Sequence, residues 1–445
     1  MTTQISISVL MCHAPIVIPE IAGKQYARIS ETTKSMTLAA RQVLNTNPDQ
    51  LIILSPHAPR HPNAFGISHN ATLMGSFSQF GYPKMNFQFQ GDLEITNAIL
   101  KEGRKQNLDI RELPDFMLDH GSLVPLYFLN KEGWDGPITV ISYPYNPSLD
   151  DCKTMGAVIS ESTIKSSKVF ALITSGDMSH RLTQDAPGGF HPSAKNFDLE
   201  FIENLKLGKF QNNLKINSDI RELAAEDVCD SFAISFSATK FQNHGSRFHS
   251  YESPFGVGYA VGVLYKNWEP QELINIAKEA ISAHINHRAY SSGNVRFDPR
   301  LKNTNGIFVT LWSKSSKQNL RGCIGRHALV CKNILEEIAD CAINSATEDP
   351  RFQPVSLEEL PELSIELTFL EKPEHVNDIS ELNPKNLGII IKSKKNLKQA
   401  TLLPDIDSID TVEKQLRAIK MKACIDEDEP WQLLKFKVKK IKEYD

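Results

Sequence analysis

No CxxC pair occurs among the seven cysteines. An odd, unpatterned set of thiols excludes a disulfide framework and a zinc ribbon. It points to free cysteines in a reducing compartment, the cytoplasm. Long apolar runs are lacking too. The stretch LIIL at residues 51–54 falls far short of the ~20 residues that a membrane helix needs. The opening MTTQISISVL has no charged n-region followed by an apolar h-region, so no secretory signal is expected. Nor is there a surplus of one charge: 49 Lys and Arg face 53 Asp and Glu, a net charge of -4. That balance removes the global argument for a nucleic-acid partner. No internal repeat is visible. What remains is ordinary for a folded protein, 41% hydrophobic and 23% charged. A length of 445 residues allows two or three domains.

The histidines are distributed unevenly. Nine of the 13 precede Lys266. Residues 266–270 (KNWEP) read as a join between an apolar strand at 256–265 and a helix at 271–284. In that helix Leu273, Ile274, Ile276, Ala277, Ala280 and Ile281 recur at helical spacing. The chain therefore divides near residue 268. At its end, KFKVKKIKEYD alternates Phe436, Val438 and Ile441 with lysines. That pattern suits a half-exposed strand edge better than a nucleic-acid tail.

Before the join, strands at 5–10, 51–54, 138–143, 169–174 and 256–265 alternate with helix patterns such as 35–44. The order predicts an α/β domain with a largely buried sheet. Three of these strands end alike. The first runs into Met11-Cys12-His13, the second into Ser55-Pro56-His57, and the fourth into Ser175-Gly176-Asp177-Met178-Ser179-His180. In an open α/β sheet ligands bind beyond the carboxyl ends of the strands. Parallel neighbours would place these imidazoles along one rim, and neutral imidazole is a common ligand for iron, copper, zinc and nickel. One such histidine would be an unremarkable polar loop residue; three at matching strand ends favour a site. In Asp119-His120-Gly121 a histidine precedes a helix pattern, where the helix N-terminus disfavours its protonated form. A plain polar turn is the alternative there. His61 lies near His57 with no strand to position it. His69, His191, His244 and His249 sit in polar surroundings and are expected to face solvent.

An oxygen-activating metal site also needs a carboxylate. Glu222, Glu226, Asp227 and Asp230 lie in RELAAEDVCDSFAISFSA, which reads as one helix. Glu226, Cys229 and Asp230 would then share a face, which makes Cys229 a second candidate ligand. The competing reading is a solvated acidic face beside a buried Ala/Val/Phe stripe. After the join, two glycines flank a thiol in Arg321-Gly322-Cys323-Ile324-Gly325. This is either a reactive cysteine, with the guanidinium favouring thiolate, or a buried turn with Cys323 packed as a small hydrophobe. Asp349-Pro350-Arg351-Phe352 reads as an ion-paired turn, with anion binding by Arg351 as the alternative.

The order MCH…SPH…DHG…SGDMSH…AEDVC…PFGVGYAVGVLY, over about residues 5–266, resembles the class III extradiol ring-cleavage dioxygenases of the LigB type. It is also similar to their Memo-like relatives, which are non-catalytic or uncharacterised. The first resemblance implies an Fe(2+) centre held by His13, His57 and Glu226, acting on a catechol-like aromatic substrate with O₂. It implies His180 as catalytic base and His120 beside the substrate. The second implies a metal-binding (iron or copper) redox or interaction protein without ring cleavage, in which Cys229 replaces Glu226 as ligand; a zinc hydrolase with His180 as base is a further alternative. AAEDVCDSF lacks the Gly-rich stretch usual around the LigB-type Glu. LRGCIG (320–325), EDPRFQPV (348–355), SIELTFL (364–370), TLLPDI (401–406) and KMKACI with Trp431 resemble the AmmeMemoRadiSam system protein A domain, over about residues 270–445. Asp405 stands where that family generally has Gln. The resemblances imply an N-terminal α/β domain (1–266) with a central mostly parallel sheet, plus a smaller C-terminal α+β domain (270–445). They also imply a radical-SAM partner protein and leave room for a homo-oligomer. No membrane and no nucleic acid are expected as partners.

Overall fold

The computed structural model describes residues 4–293, 295–314, 319–426 and 429–443. The outermost residues of the two expected spans, 1–3 and 444–445, lie outside the described residues. The chain divides into two compact units, residues 1–267 and 268–445.

Eight strands of the first unit form one sheet, in the order Arg247–Glu252, Tyr259–Lys266, Ile5–Met11, Phe170–Ser175, Gln50–Leu54, Ile138–Ser142, Phe65–Ile67 and Ile110–Glu112. The central four, from Ile5–Met11 to Ile138–Ser142, run parallel. These strands read as nearly continuous apolar runs because both faces are covered. Val9, Ile53 and Ile173 pack on one face with Met36, Ala40 and Leu126. Ile52, Leu54 and Leu172 pack on the other with Met155, Ile159 and Ile234. The alternation follows from the two-residue period of a strand. Each fully buried Leu or Ile contributes about 1.5–3 kcal/mol. Parallel alignment brings the carboxyl ends of the strands to one edge, and that edge carries the site. A separate three-stranded sheet, Tyr82–Gln90, Thr72–Phe77 and Met117–Leu118, leads into the helix His120–Lys131.

The single helix expected around residues 221–238 is two helices, Ser218–Ala224 and Val228–Ala238. The break falls at Ala225, whose φ of 52° is left-handed. No Gly or Pro marks it. Glu226 holds it instead: one carboxylate oxygen accepts the Arg221 Nε–H at 2.6 Å, and the other accepts the Cys229 N–H at 2.7 Å. The helical spacing that placed Glu226, Cys229 and Asp230 on one face therefore does not exist.

The second unit is smaller and antiparallel. One sheet runs Leu320–Arg326, Gly306–Ser313, Leu363–Leu370, Val438–Lys442. It is covered by the helices Pro270–Ile285 and Ile334–Thr347. The other sheet runs Glu374–His375, Trp431–Phe436, Gly388–Ser393, Gln399–Leu402, with the helix Val412–Ala423 against it. The lysine-rich end forms an edge strand, in which Lys440 and Lys442 pair with Glu366 at 3.6 and 3.3 Å. Cys323 lies in a strand rather than a turn. Burial pushes its thiol up, against the Thr310 hydrogen bond and the Arg351 charge. Arg351 chelates Asp349 through Nε and Nη2 at 2.9 and 2.7 Å, and Asp349 also accepts the Cys323 N–H. Among the described residues no helix is long and apolar enough to cross a membrane.

His249, expected in solvent, is half-buried, and its Nε2–H donates to Gln42 at 2.7 Å. Burial, with the charges of Arg247 and Lys266, lowers its pKa to about 4. The unfolded chain takes up this proton near pH 6.5 and the folded chain does not. His249 therefore lowers stability progressively as pH falls from about 6.5 to about 4. Chemical denaturation should show wild type losing stability relative to His249→Gln between pH 7 and pH 4.5. A constant difference would refute this assignment.

Candidate metal centre

His13 follows the strand Ile5–Met11, and His57 follows Gln50–Leu54. The strand between them in the sheet, Phe170–Ser175, ends in Ser175. His120 is the first residue of the helix His120–Lys131. One ligand atom from each of His13, His57 and His120 falls within 4.8 Å of the others. The His57 and His120 rings stack with centroids 4.1 Å apart, and His13 meets His57 edge-on at 4.8 Å.

A short chain of hydrogen bonds sets this arrangement. The Ser175 hydroxyl donates to the Gly121 carbonyl at 2.6 Å, so it accepts from His13 Nδ1–H at 2.9 Å. That sets the His13 ring and turns its Nε2 inward. Ser55 Oγ donates to Asp119 Oδ1 at 2.6 Å and accepts the His57 N–H at 3.2 Å. Asp119 caps the helix by accepting the Ser122 N–H at 3.0 Å, which positions His120. The backbone packs tightly here. A Cβ on Gly121 would stand 2.5 Å from Ser55 Oγ and 3.3 Å from the His57 ring.

Two carboxylates complete the cluster. Asp227, displaced from the helix by the break at Ala225, places Oδ2 3.4 Å from Nε2 of both His13 and His57. Its Oδ1 accepts the Asp177 N–H at 2.7 Å. Asp177 in turn accepts the His13 N–H at 2.8 Å. Burial raises Asp177, and the charge of Asp227 adds to this. Burial also works against ionised Asp227, but the charge of His13 and the hydrogen bonds of both imidazoles hold its carboxyl low. His13 is desolvated, yet Asp177 and Asp227 raise it to about 9. His120 falls to about 4, through burial and the neighbouring His57 and His13. The Nε2 atoms of His13 and His57 stand 3.1 Å apart. At that distance one nitrogen carries a proton toward the other, or a cation stands between them. The buried carboxylates ask for positive charge at the same point, and the donor set fits a metal ion.

The remaining expected residues lie differently. Both oxygens of Glu226 are engaged by Arg221 and the Cys229 N–H, and its side chain is 2% exposed. The structure does not bring it to the histidines; the residue after it stands there. Cys229 packs with Leu10, Val228 and Phe232, and burial pushes its thiol well up. His180 donates Nδ1–H to the Ala225 carbonyl at 2.8 Å, so the helix break orients it too. Sequence reasoning passed over Asp227, because only the unmarked break at Ala225 distinguishes it from its acidic neighbours. Ser175 and Asp177 carried a signal, since both sit at a strand end already singled out.

Comparison with known proteins places these features in a wider group. Residues 8–262 match the family model described as the catalytic LigB subunit of aromatic ring-opening dioxygenase, and residues 274–442 match AMMECR1. The chain is similar to Protein CA_C1420 of Clostridium acetobutylicum, at 29% identity over 98% of each chain. A Thermotoga maritima protein is 46% identical over 31% of this chain and 77% of its own. Among solved structures, the uncharacterized protein JW3007 from Escherichia coli K12 matches with a TM-score of 0.42 and 15% identity, over 57% of this chain and 98% of that one. The uncharacterized protein PH0010 from Pyrococcus horikoshii matches with a TM-score of 0.34 and 26% identity, over 40% and 94%. The chain thus belongs to the family of the catalytic LigB subunit of aromatic ring-opening dioxygenases, and it carries that domain fused to an AMMECR1 domain.

Proposed function

We propose that the first unit is an iron(II)-dependent dioxygenase that opens a catechol-type aromatic ring with O₂, with the metal held by His13, His57 and Asp227. One observation carries this reading: the two Nε2 atoms 3.1 Å apart, each 3.4 Å from Asp227 Oδ2. Two imidazoles and one carboxylate, with other positions open, suit the non-haem iron(II) oxygenases. Asp227 here takes the part first expected of Glu226. When bound, iron(II) would supply a common anchor for catechol and O₂ and lower the proton affinity of the catechol.

The chain's own residues do the rest. His180 gives its Nδ1–H to Ala225, so Nε2 is the lone-pair nitrogen and serves as base for a catechol hydroxyl. His120, with its pKa at about 4, is neutral at pH 7. It acts as a neutral hydrogen-bond partner and adds no further cation to the site. The Phe80 ring, 5.8 Å from that of His120, supplies an apolar wall for an aromatic substrate.

The test begins with anaerobic loading of the full chain with iron(II), metal analysis, and exposure to air with a panel of catechols. Wild type should retain iron and form ring-opened product. His13→Ala, His57→Ala and Asp227→Asn should lose the metal, and Glu226→Gln should keep it. Iron and turnover surviving in Asp227→Asn would defeat the ligand assignment; failure of wild type to bind iron would defeat the function.

Two substitutions around the ligands should act by position alone. Ser175→Ala frees His13 Nδ1, and metal affinity measured by chelator competition should weaken about 10–100-fold. Gly121→Ala pushes on Ser55 and the His57 ring. It should cost about 1–3 kcal/mol of stability in denaturant titrations and weaken metal retention. A fully stable Gly121→Ala that holds iron normally would contradict the close packing described above.

A further inference from the structure

The helices Pro270–Ile285 and Ile334–Thr347 of the second unit pack together, and both line an open cavity of about 490 Å³. That volume suits a small molecule, and nothing in the chemistry above uses it. The sequence makes the gap. Ala280 and His284 stand one turn apart on the first helix. Glu336, Ala339, Asp340 and Ile343 fall at i, i+3, i+4 and i+7 on the second, so each set shares a face. Both faces carry a buried alanine, Ala280 and Ala339, where a longer side chain would fill the space. The chain leaves the first helix through His287, whose φ of 51° is left-handed, and the Arg288 N–H closes the turn on the Ala283 carbonyl at 2.8 Å. Arg288 and Tyr290 thereby join the lining.

The charges around this cavity are of opposite sign and unmatched. Arg288 comes from the end of one helix, Glu336 and Asp340 from the face of the other. Among the described residues no carboxylate pairs with Arg288 and no cation pairs with Glu336. The Glu336 carboxylate accepts the Asn333 Nδ2–H at Oε1, at 3.0 Å, and Oε2 is left over. Asp340 accepts from Arg326 and Asn344 at 2.6 and 3.0 Å, both at Oδ2, which leaves Oδ1. Groups of both signs thus share one space without meeting, and a molecule carrying both signs would satisfy them together. Cys331 also lines the space. Burial and the Glu337 carboxylate push its thiol up to about 11, so it is an uncharged wall at neutral pH and not a nucleophile.

We propose that this cavity binds a free α-amino acid with an apolar side chain. A guanidinium takes a carboxylate through two N–H bonds, so Arg288 receives the carboxylate. The ammonium has three donors and no acceptor, and it goes to Glu336 and Asp340. The side chain lies over Ala280, Ala339 and Ile343. Every residue of the site belongs to the second unit, and the proposal does not rest on the ring-opening reading of the first.

The test is calorimetry on the full chain. The probes are L-leucine, L-phenylalanine, L-leucinamide, which lacks the carboxylate, and N-acetyl-L-leucine, which lacks the ammonium. Leucine should bind about 5–10-fold more tightly than either derivative, as expected for charge-assisted contacts on partly exposed side chains. Arg288→Gln should abolish its advantage over the amide. Glu336→Gln combined with Asp340→Asn should abolish its advantage over the acetyl compound. Arg288 and Glu336 are exposed, so replacing them leaves the fold in place. Three results would each overturn the proposal: no binding of leucine or phenylalanine, equal binding of leucine and its two derivatives, or preferences unmoved by these substitutions. Iron content and ring opening play no part in these readouts, so failure here leaves the assignment of the first unit intact.

Discussion

Two imidazole nitrogens held 3.1 Å apart beside a buried carboxylate need a proton or a cation between them. The first unit is organised around that constraint. A buried parallel sheet delivers two of the histidines from strands that flank a third. A helix begins at the third histidine, and a broken helix supplies the carboxylate. The same groups serve twice. The Ser175 hydroxyl orients His13 and also ties down the Gly121 carbonyl, while Ala225 both breaks the helix and accepts the His180 Nδ1–H hydrogen bond. The electrostatics follow from this sharing: carboxylates pull His13 toward the charged form, and neighbouring imidazoles with burial push His120 toward the neutral one.

Much of this was legible in the sequence, because strands buried on both faces leave unmistakable apolar runs. The residues that follow Met11, Leu54 and Ser175 could be recognised as one rim from the order of elements alone. His13, His57 and His120 do assemble as a group of potential ligands. The carboxylate was not legible. RELAAEDVCDSF has good helix formers on both sides of Ala225, so periodicity runs straight through it, and the break exists because Glu226, clasped by Arg221, caps the following helix. A salt bridge formed in the folded state decided which acidic residue reached the histidines, and no local propensity records that. His249 escaped for a related reason: its polar neighbours suggest a surface, while the contact that buries it comes from Gln42 on a distant helix.

The second unit shows the opposite balance. Its motifs are vivid in sequence, yet their most conspicuous residues are occupied with one another. Asp349 is shared between Arg351 and the Cys323 N–H, and Arg321 is chelated by Glu359. The glycines around Cys323 have a packing reason: a Cβ on Gly322 would stand 2.2 Å from the Ser345 carbonyl oxygen. These residues build a tight junction between strand, helix and turn.

The spacing of the histidines has a further consequence. His13 and His57 spring from strands separated by one intervening strand, so their backbones start roughly 10 Å apart, twice the inter-strand distance. The two rings must lean across the tip of that middle strand to meet, and the tip is Ser175-Gly176. The spacing of the two imidazoles is therefore gauged by the hydrogen-bond ruler of the sheet, and the tip itself is closed from behind: a Cβ on Gly176 would stand 2.6 Å from Val228 Cα.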